Sequence, residues 1–181
     1  MTEPSLPALP PPRTPGRYRI ALVCLGNICR SPMADVVLTA RVRAAGLDDV
    51  VEVASSGTGD WHVGKPMDRR AAATLTEHGY DASLHRARQF HPGWVADHDL
   101  VLAMDAQNLA DVGGRGDRVR LFRDFDPEKE PGETEAEVPD PYYGGPAGFE
   151  EVLRMVERTS TAIVAALRAH GTALREEHLP G

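Results

Sequence analysis

A short, largely apolar and partly β-branched run at 18–23 gives way, eight residues later, to a helical pattern, and the join carries a cysteine and an arginine six positions apart. The run reads as a buried parallel strand. Ser31 followed by Pro32 reads as an N-cap and first helical residue, and Met33, Val36, Val37, Ala40, Ala44 and Leu47 follow at helical spacing. Residues 24–31 therefore form a strand-to-helix loop. Such a loop gathers backbone N–H groups and the positive end of a helix dipole at one point, which suits a phosphate or a similar oxyanion. Gly26 fits the tight turn. Arg30 adds a planar fork of donors that can engage two phosphoryl oxygens together, which lysine cannot do. Cys24 then lies at the bottom of a cationic cup that favours its thiolate, the nucleophilic form. Its alternative is the role of most unpaired cysteines, a small buried hydrophobe.

Alternation continues along the chain: strands at 18–23, 50–54, 99–104 and 118–122, with helices at 31–46, 68–78, 105–112 and 146–170. This pattern predicts an α/β fold, a four-stranded parallel sheet with helices on both faces and the phosphate-binding loop after the first strand. Gly46, Gly79 and Gly171 stand where helix C-caps belong, and Phe149, Val152, Val156, Ile163 and Leu167 mark the buried stripe of the last helix. Ligands of such sheets bind beyond the carboxyl ends of the strands. Residues 55–61, Asp105 and the stretch 124–145 should emerge at the same edge as Cys24.

Residues 1–17 hold six of the fifteen prolines and little hydrophobic periodicity, so they read as a flexible tail. One folded domain over 18–172 and a short C-terminal tail at 173–181 complete the division. The net charge of −7 argues against nucleic acid and anionic membranes as partners. Neither a signal peptide nor a membrane-spanning run is visible, which implies a cytoplasmic protein. Both cysteines share one loop, and the seven histidines show no metal-binding spacing. No metal or other cofactor is called for.

From about Arg19 to about His170 the chain resembles the low-molecular-weight protein tyrosine phosphatases. The resemblance rests on the loop and on Ser55-Ser56-Gly57-Thr58, His85-Arg86-Ala87-Arg88-Gln89, Met104-Asp105-Ala106-Gln107-Asn108-Leu109 and Asp140-Pro141-Tyr142-Tyr143-Gly144. It implies hydrolysis of phosphotyrosine in proteins through a phosphocysteine intermediate, with Cys24, Arg30 and Asp140 as the catalytic set. Leu25, Gly26, Asn27, Ile28, Cys29, Ser31, Trp61, Tyr142 and Tyr143 would bind the substrate, with an oxyanion in the loop. Ser55 and His85, with Asn27 and Ser31, would pin the loop, and Ser31 would steady the thiolate. The chemistry needs an acid, because the leaving phenolate belongs to a phenol of pKa about 10. Asp140 fits that role, though Asp-Pro alone is a common turn opener. Trp61 and the two tyrosines resemble walls of an aromatic cleft, although a tryptophan can equally be a core plug. Cys29 is either core filler or, as in the family, a thiol that forms a reversible disulfide with the nucleophile.

Three other functions compete. Phosphoarginine hydrolysis, a specialisation of the same family, has threonine in that pattern where this chain has Ile28, which offers a guanidinium no hydroxyl. Thiol-coupled arsenate reduction needs further cysteines, and none follows Cys29. A phosphate-binding module without turnover would need neither the thiolate nor the acid. Finally, residues 124–140 carry a run of acidic side chains against a single Lys129, readable as a solvated, partly mobile loop or as an anionic rim to the cleft.

Overall fold

In a computed structural model, which describes residues 7–170 apart from 131 and 134, the first apolar run is strand β1, Tyr18–Cys24, buried on both faces over most of its length. Alternate side chains serve two cores. Ile20 and Leu22 pack with Leu100, Leu102, Met33, Val37 and the buried stripe of the last helix, while Ala21 and Val23 pack with Val101, Ala103, Leu109 and Leu121. The other strands are β2 (Val51–Gly57), β3 (Leu100–Ala103) and β4 (Val119–Leu121). All pairings are parallel in the order β2-β1-β3-β4, with Leu22 beside Ser55 and Val23 beside Ala103. Winding reverses between β1 and β3, so the crevice at the carboxyl end of β1 is a topological switch point.

The helices are α1 (Arg30–Ala44), α2 (Arg69–Glu77), α3 (Gly93–Asp97), α4 (Ala106–Asp111) and α5 (Pro146–Ala169). Along α5 the expected positions Phe149, Val152, Val156, Ile163 and Leu167 are all buried. Gly46 follows α1 in the left-handed region at φ 71°, with Leu47 N donating to Val42 O at 3.0 Å, which closes the helix end. Gly79 does the same after α2 at φ 87°, whereas Gly171 lies outside the described residues. The short α3 and a 3-10 turn over Phe122–Phe125 carry no periodic signature long enough to read from sequence. At the start of α1 the expectation is corrected by one turn element. Ser31 lies inside the helix, Cys29 is the N-cap, and no side chain caps it, because the Ser31 hydroxyl is engaged with Cys24 and Asn27.

The flexible-tail expectation fails for residues 7–17. Leu9 is buried in the main core, the Tyr18 hydroxyl donates to Pro10 O at 2.9 Å, and Arg118 Nη1 donates to Pro11 O at 2.7 Å. Arg13 donates from its backbone N to Asp99 Oδ1 and from Nε to His98 O. Proline-rich backbone is extended and makes no internal hydrogen bonds, so its carbonyls are free to satisfy buried donors of a neighbouring surface. Here composition marks an extended strap rather than detachment. Residues 1–6 and the proposed tail at 173–181 fall outside the described residues.

The acidic run is also largely spent internally. Asp126 is fully buried, accepting from Arg123 Nε at 2.8 Å and from Arg158 Nε and Nη2 at 2.9 and 3.0 Å. Burial works against its charge, but these hydrogen bonds prevail and hold the carboxyl below its usual range. Removing one partner of such a buried pair costs about 3–5 kcal/mol, which makes this a strong anchor. Asp124 pairs with Arg115, Glu133 with Arg123, and Glu137 caps the N–H of Ala106. Ala136 and Val138 between them have no exposed surface. The carboxylates of Asp124, Asp126, Glu133 and Glu137 thus have protein partners, whereas Glu130 and Glu135 are exposed, so part of the run is built into the fold and part is a solvated face.

Candidate active site

The loop after β1 is held from behind. Gly57, at the end of β2, comes so close that a Cβ there would sit 2.8–2.9 Å from the backbone of Leu25, Gly26 and Asn27, so glycine is required by packing. Thr58 N and Gly59 N donate to Cys24 O and Leu25 O at 3.0 and 2.8 Å, and Asp68 N donates to Ile28 O at 2.9 Å. Asn27 takes the left-handed conformation, φ 56°, which costs a non-glycine residue about 1–2 kcal/mol and is least costly for Asn or Asp. Its partners offset that cost. Nδ2 donates to Ser31 Oγ at 2.8 Å and Ser55 Oγ at 3.0 Å, Oδ1 accepts from Arg88 N at 3.0 Å, and the carbonyl accepts from His85 Nε2 at 2.7 Å. Burial, against the pull of that carbonyl, keeps the His85 pKa low, so it serves as a neutral donor through Nε2–H.

The geometry at Cys24 follows from this frame. Its Sγ lies 3.3 Å from Asn27 N, a donor, and 2.9 Å from Ser31 Oγ. Because Ser31 accepts from Asn27, its single proton is free for the sulfur, with Ser56 O a longer alternative at 3.3 Å. Two donors thus aim at the sulfur. Asn27 and Ser31, which the sequence placed among substrate-binding residues, are fully buried beneath the loop and line none of the cleft with their side chains. Their positions follow from the small turn, which turns these polar groups inward to hold it.

Arg30 is 2% exposed, and its Nη1 donates to Asp105 Oδ2 at 2.7 Å and Val138 O at 3.1 Å. Burial opposes its charge, yet Cys24, Asp105 and Asp140 raise its pKa further, so it remains cationic. Asp105 is also the N-cap of α4, with Oδ1 accepting from Asn108 N at 2.8 Å. One carboxylate thus fixes both a helix start and the arginine fork. Sequence reasoning placed Asp105 at this edge but gave it no role. Asp140 Oδ2 approaches Arg30 Nη2 at 3.6 Å, while Oδ1 accepts from Tyr142 N at 3.0 Å and so fixes the Asp-Pro-Tyr turn.

A cleft of about 350 Å³ opens over the loop. Cys24, Leu25, Gly26, Ile28, Cys29 and Arg30 form its floor, and Trp61, His62, Asp140, Tyr142 and Tyr143 its walls. Trp61 is 67% and Tyr143 91% exposed, so neither is a core plug. Tyr142 and Tyr143 meet edge to face at 4.9 Å, and Arg70 stacks over Tyr142 at 5.4 Å. His62 was not anticipated, for nothing in its spacing distinguishes it from an ordinary loop residue. Cys29 is 5% exposed, and its thiol pKa is pushed far up by burial and by Asp68, Cys24 and Asp140. It is a protonated thiol at neutral pH. Asp140 is the sole member of the acidic run in the lining, so an anionic rim built from Glu133, Glu135 and Glu137 does not form part of this cleft.

Behind the loop, Asp35 of α1 accepts from Thr39 Oγ1 at 3.1 Å, and burial pushes its pKa up to about 6 despite hydrogen bonds from Thr39 and Ser55. The unfolded chain releases that proton near pH 3.9. The native state therefore binds more protons between about pH 4 and 6, and stability contributed by this site declines as pH rises through that window. Asp35→Asn is expected to raise Tm by several degrees at pH 7.5, the gain vanishing toward pH 4. Thermal unfolding at the two pH values checks it, and an equal gain at both would remove the titration from the explanation.

A cysteine sulfur held by two donors beside a buried guanidinium, facing an aspartate across an aromatic-walled cleft, is fitted to attack a phosphate ester. The fold and site thus define a cysteine-dependent phosphatase of the parallel α/β type. Comparison with known proteins agrees with this class. Residues 19–173 match the family model of the low molecular weight phosphotyrosine protein phosphatases. A low molecular weight protein-tyrosine-phosphatase of Streptomyces coelicolor is 50% identical over 157 residues, covering 83% of this chain and 94% of the relative. A low molecular weight phosphotyrosine protein phosphatase of Sus scrofa is 35% identical over 156 residues, covering 82% and 95%. The crystal structure of a protein tyrosine phosphatase from Entamoeba histolytica superposes with a TM-score of 0.77 at 28% identity, covering 85% and 99%. The chain belongs to the low-molecular-weight protein tyrosine phosphatase family and hydrolyses phosphotyrosine through a phosphocysteine intermediate. Among the described residues no helix is long and apolar enough to cross a membrane.

Proposed function

We propose that Cys24 is the nucleophile of this phosphatase, Arg30 its phosphate clamp and Asp140 its general acid and base. The observation that carries the assignment is the convergence of these three side chains, 116 positions apart at the extremes of the sequence they span (140 − 24), on one cleft. The phosphoryl group descends to the floor, where the guanidinium fork, already oriented by Asp105 and the Val138 carbonyl, engages its oxygens. Cys24 Sγ forms a bond to phosphorus as the bond to the phenolic oxygen breaks, and the Asp140 carboxyl delivers its proton to that oxygen. In the second half Asp140, now a carboxylate, takes a proton from water as the water oxygen attacks phosphorus. The S–P bond breaks, phosphate leaves and the thiolate is restored. Ser31 and Asn27 act through Cys24 by aiming donors at its sulfur, and Ser55 and His85 act through Asn27.

Depth sets the substrate class. Walls of Trp61, Tyr142 and Tyr143 suit a phenyl ring lying between the floor and the surface, and Ile28 lines the floor without offering a hydroxyl to a guanidinium. The partners in this proposal are phosphotyrosyl proteins of the cytoplasm, and the net charge of −7 supports none that is nucleic acid. With a metal chelator present, phosphotyrosyl peptides should be hydrolysed at least about 100-fold faster than matched phosphoseryl peptides, whose shorter side chain cannot bring phosphate to Cys24. Comparable rates for the two, or preference for a phosphoarginyl peptide, would contradict the assignment.

A further inference from the structure

Beside the cleft lies a second, shallower basin of about 660 Å³ that the catalytic chemistry does not use. Leu25 and Trp61 belong to the lining of both hollows. They form a ridge between them, and both are substantially exposed, at 40% and 67%. The ridge is held in place. The Trp61 ring lies over Gly59, where a Cβ would collide with the indole, and Gly59 N is bonded to Leu25 O at 2.8 Å. Beyond it the basin presents Phe90, Pro92 and Val112, with Asp111 as its one ionisable side chain.

We propose that this basin is a substrate subsite, which receives an apolar side chain two residues away from the phosphotyrosine in the same polypeptide. The proposal rests on the phosphatase assignment above. In an extended peptide, side chains two apart point to the same face and stand about 7 Å apart. A peptide whose phosphotyrosine fills the cleft then lays its second neighbour across Leu25 and Trp61, which line both hollows, and against Phe90. Continuity of the two hollows through Leu25 and Trp61 is what identifies the occupant as part of the substrate. Chemistry selects its type. Half-buried Phe90 and exposed Pro92 reward apolar burial, while the Asp111 carboxylate, whose Oδ1 accepts from Gln107 Nε2 at 2.9 Å, disfavours an acidic neighbour.

Synthetic phosphotyrosyl peptides carrying Leu, Asn or Asp at the second position before or after the phosphotyrosine, in an otherwise alanine background, test this directly. On at least one side, kcat/KM should be about 10-fold higher for Leu than for Asn, and lowest for Asp. Asp111→Arg, an exposed change at the end of α4 where a cation suits the helix dipole, should reduce the penalty on Asp by about threefold while leaving p-nitrophenyl phosphate turnover unchanged. Equal kcat/KM for the three peptides on both sides, with the alanine peptide and p-nitrophenyl phosphate still turned over, overturns the subsite alone. Failure to hydrolyse the alanine peptide and p-nitrophenyl phosphate overturns the assignment beneath it as well.

Discussion

Cys24→Ser is expected to lower kcat on phosphotyrosyl peptides by about four orders of magnitude or more while leaving phosphate affinity within a few-fold of the parent. A serine hydroxyl keeps the shape of the site and the contacts to Ser31 and Asn27, but it is essentially un-ionised beside Arg30 and offers no comparable nucleophile. The structure makes the retained binding a strict part of the result. Arg30 is fixed by Asp105 at 2.7 Å and by the Val138 carbonyl, neither of which depends on the sulfur. Arg30→Lys should show the opposite split. A lysine supplies charge without the planar fork and leaves Asp105 with a single off-axis partner, so both phosphate affinity and kcat should fall, kcat by about 100-fold or more. Steady-state kinetics together with phosphate titration by calorimetry read both variants. Appreciable turnover by Cys24→Ser would be incompatible with thiol catalysis.

The second large effect depends on the leaving group. Asp140→Asn should reduce kcat by about 10²–10⁴-fold on a substrate whose phenolate must be protonated, such as phenyl phosphate or phosphotyrosine. For p-nitrophenyl phosphate, whose leaving group departs readily without a proton, the loss in the phosphorylation step should be much smaller, and the slow hydrolysis of the phosphoenzyme should then limit turnover. A burst of p-nitrophenolate, seen in rapid mixing and absent from the parent, is the expected signature. Equal losses on both substrates with no burst would remove Asp140 from proton transfer and leave it as a structural partner of the Tyr142 N–H.

What the sequence made legible and what it did not divide along a physical line. The first strand, the loop after it and the parallel character of the sheet were readable because they rest on local periodicity and on the alternation of strands with helices. Cys24 and Arg30 were readable because seven consecutive residues place them in one turn. The support for that turn arrives from across the chain: Ser55 and His85 were legible only through the family resemblance, while Arg88, which bonds Asn27 from 61 positions away, and Val138, which meets Arg30 from 108, left no signal in the sequence. Composition misled twice. Prolines at 7–15 marked an extended strap bound through its own carbonyls, and within the acidic stretch before Asp140 the residues Asp126, Glu128 and Glu133 are engaged by Arg123 and Arg158, a pairing no local pattern reveals. Ser31 illustrates a third cause. A Ser-Pro pair is good N-cap chemistry, but this hydroxyl is claimed by the sulfur seven residues earlier.

The structure also bears on the two thiols. Cys29 lines the floor of the cleft with Cys24, but burial and the carboxylates of Asp68 and Asp140 keep it protonated. Both readings left open by the sequence meet this environment: the thiol lies on the cleft floor near Cys24, and a disulfide between them requires the Cys29 proton to leave first.

The most direct measurement is to trap the covalent intermediate and locate it. Asp140→Ala, mixed rapidly with p-nitrophenyl phosphate and quenched, should accumulate a phosphoenzyme, and peptide mapping under conditions that preserve thiophosphate esters should place the phosphoryl group on Cys24 and not on Cys29. A phosphoryl group on any other residue, or complete turnover with no phosphoenzyme formed, would contradict nucleophilic catalysis by Cys24.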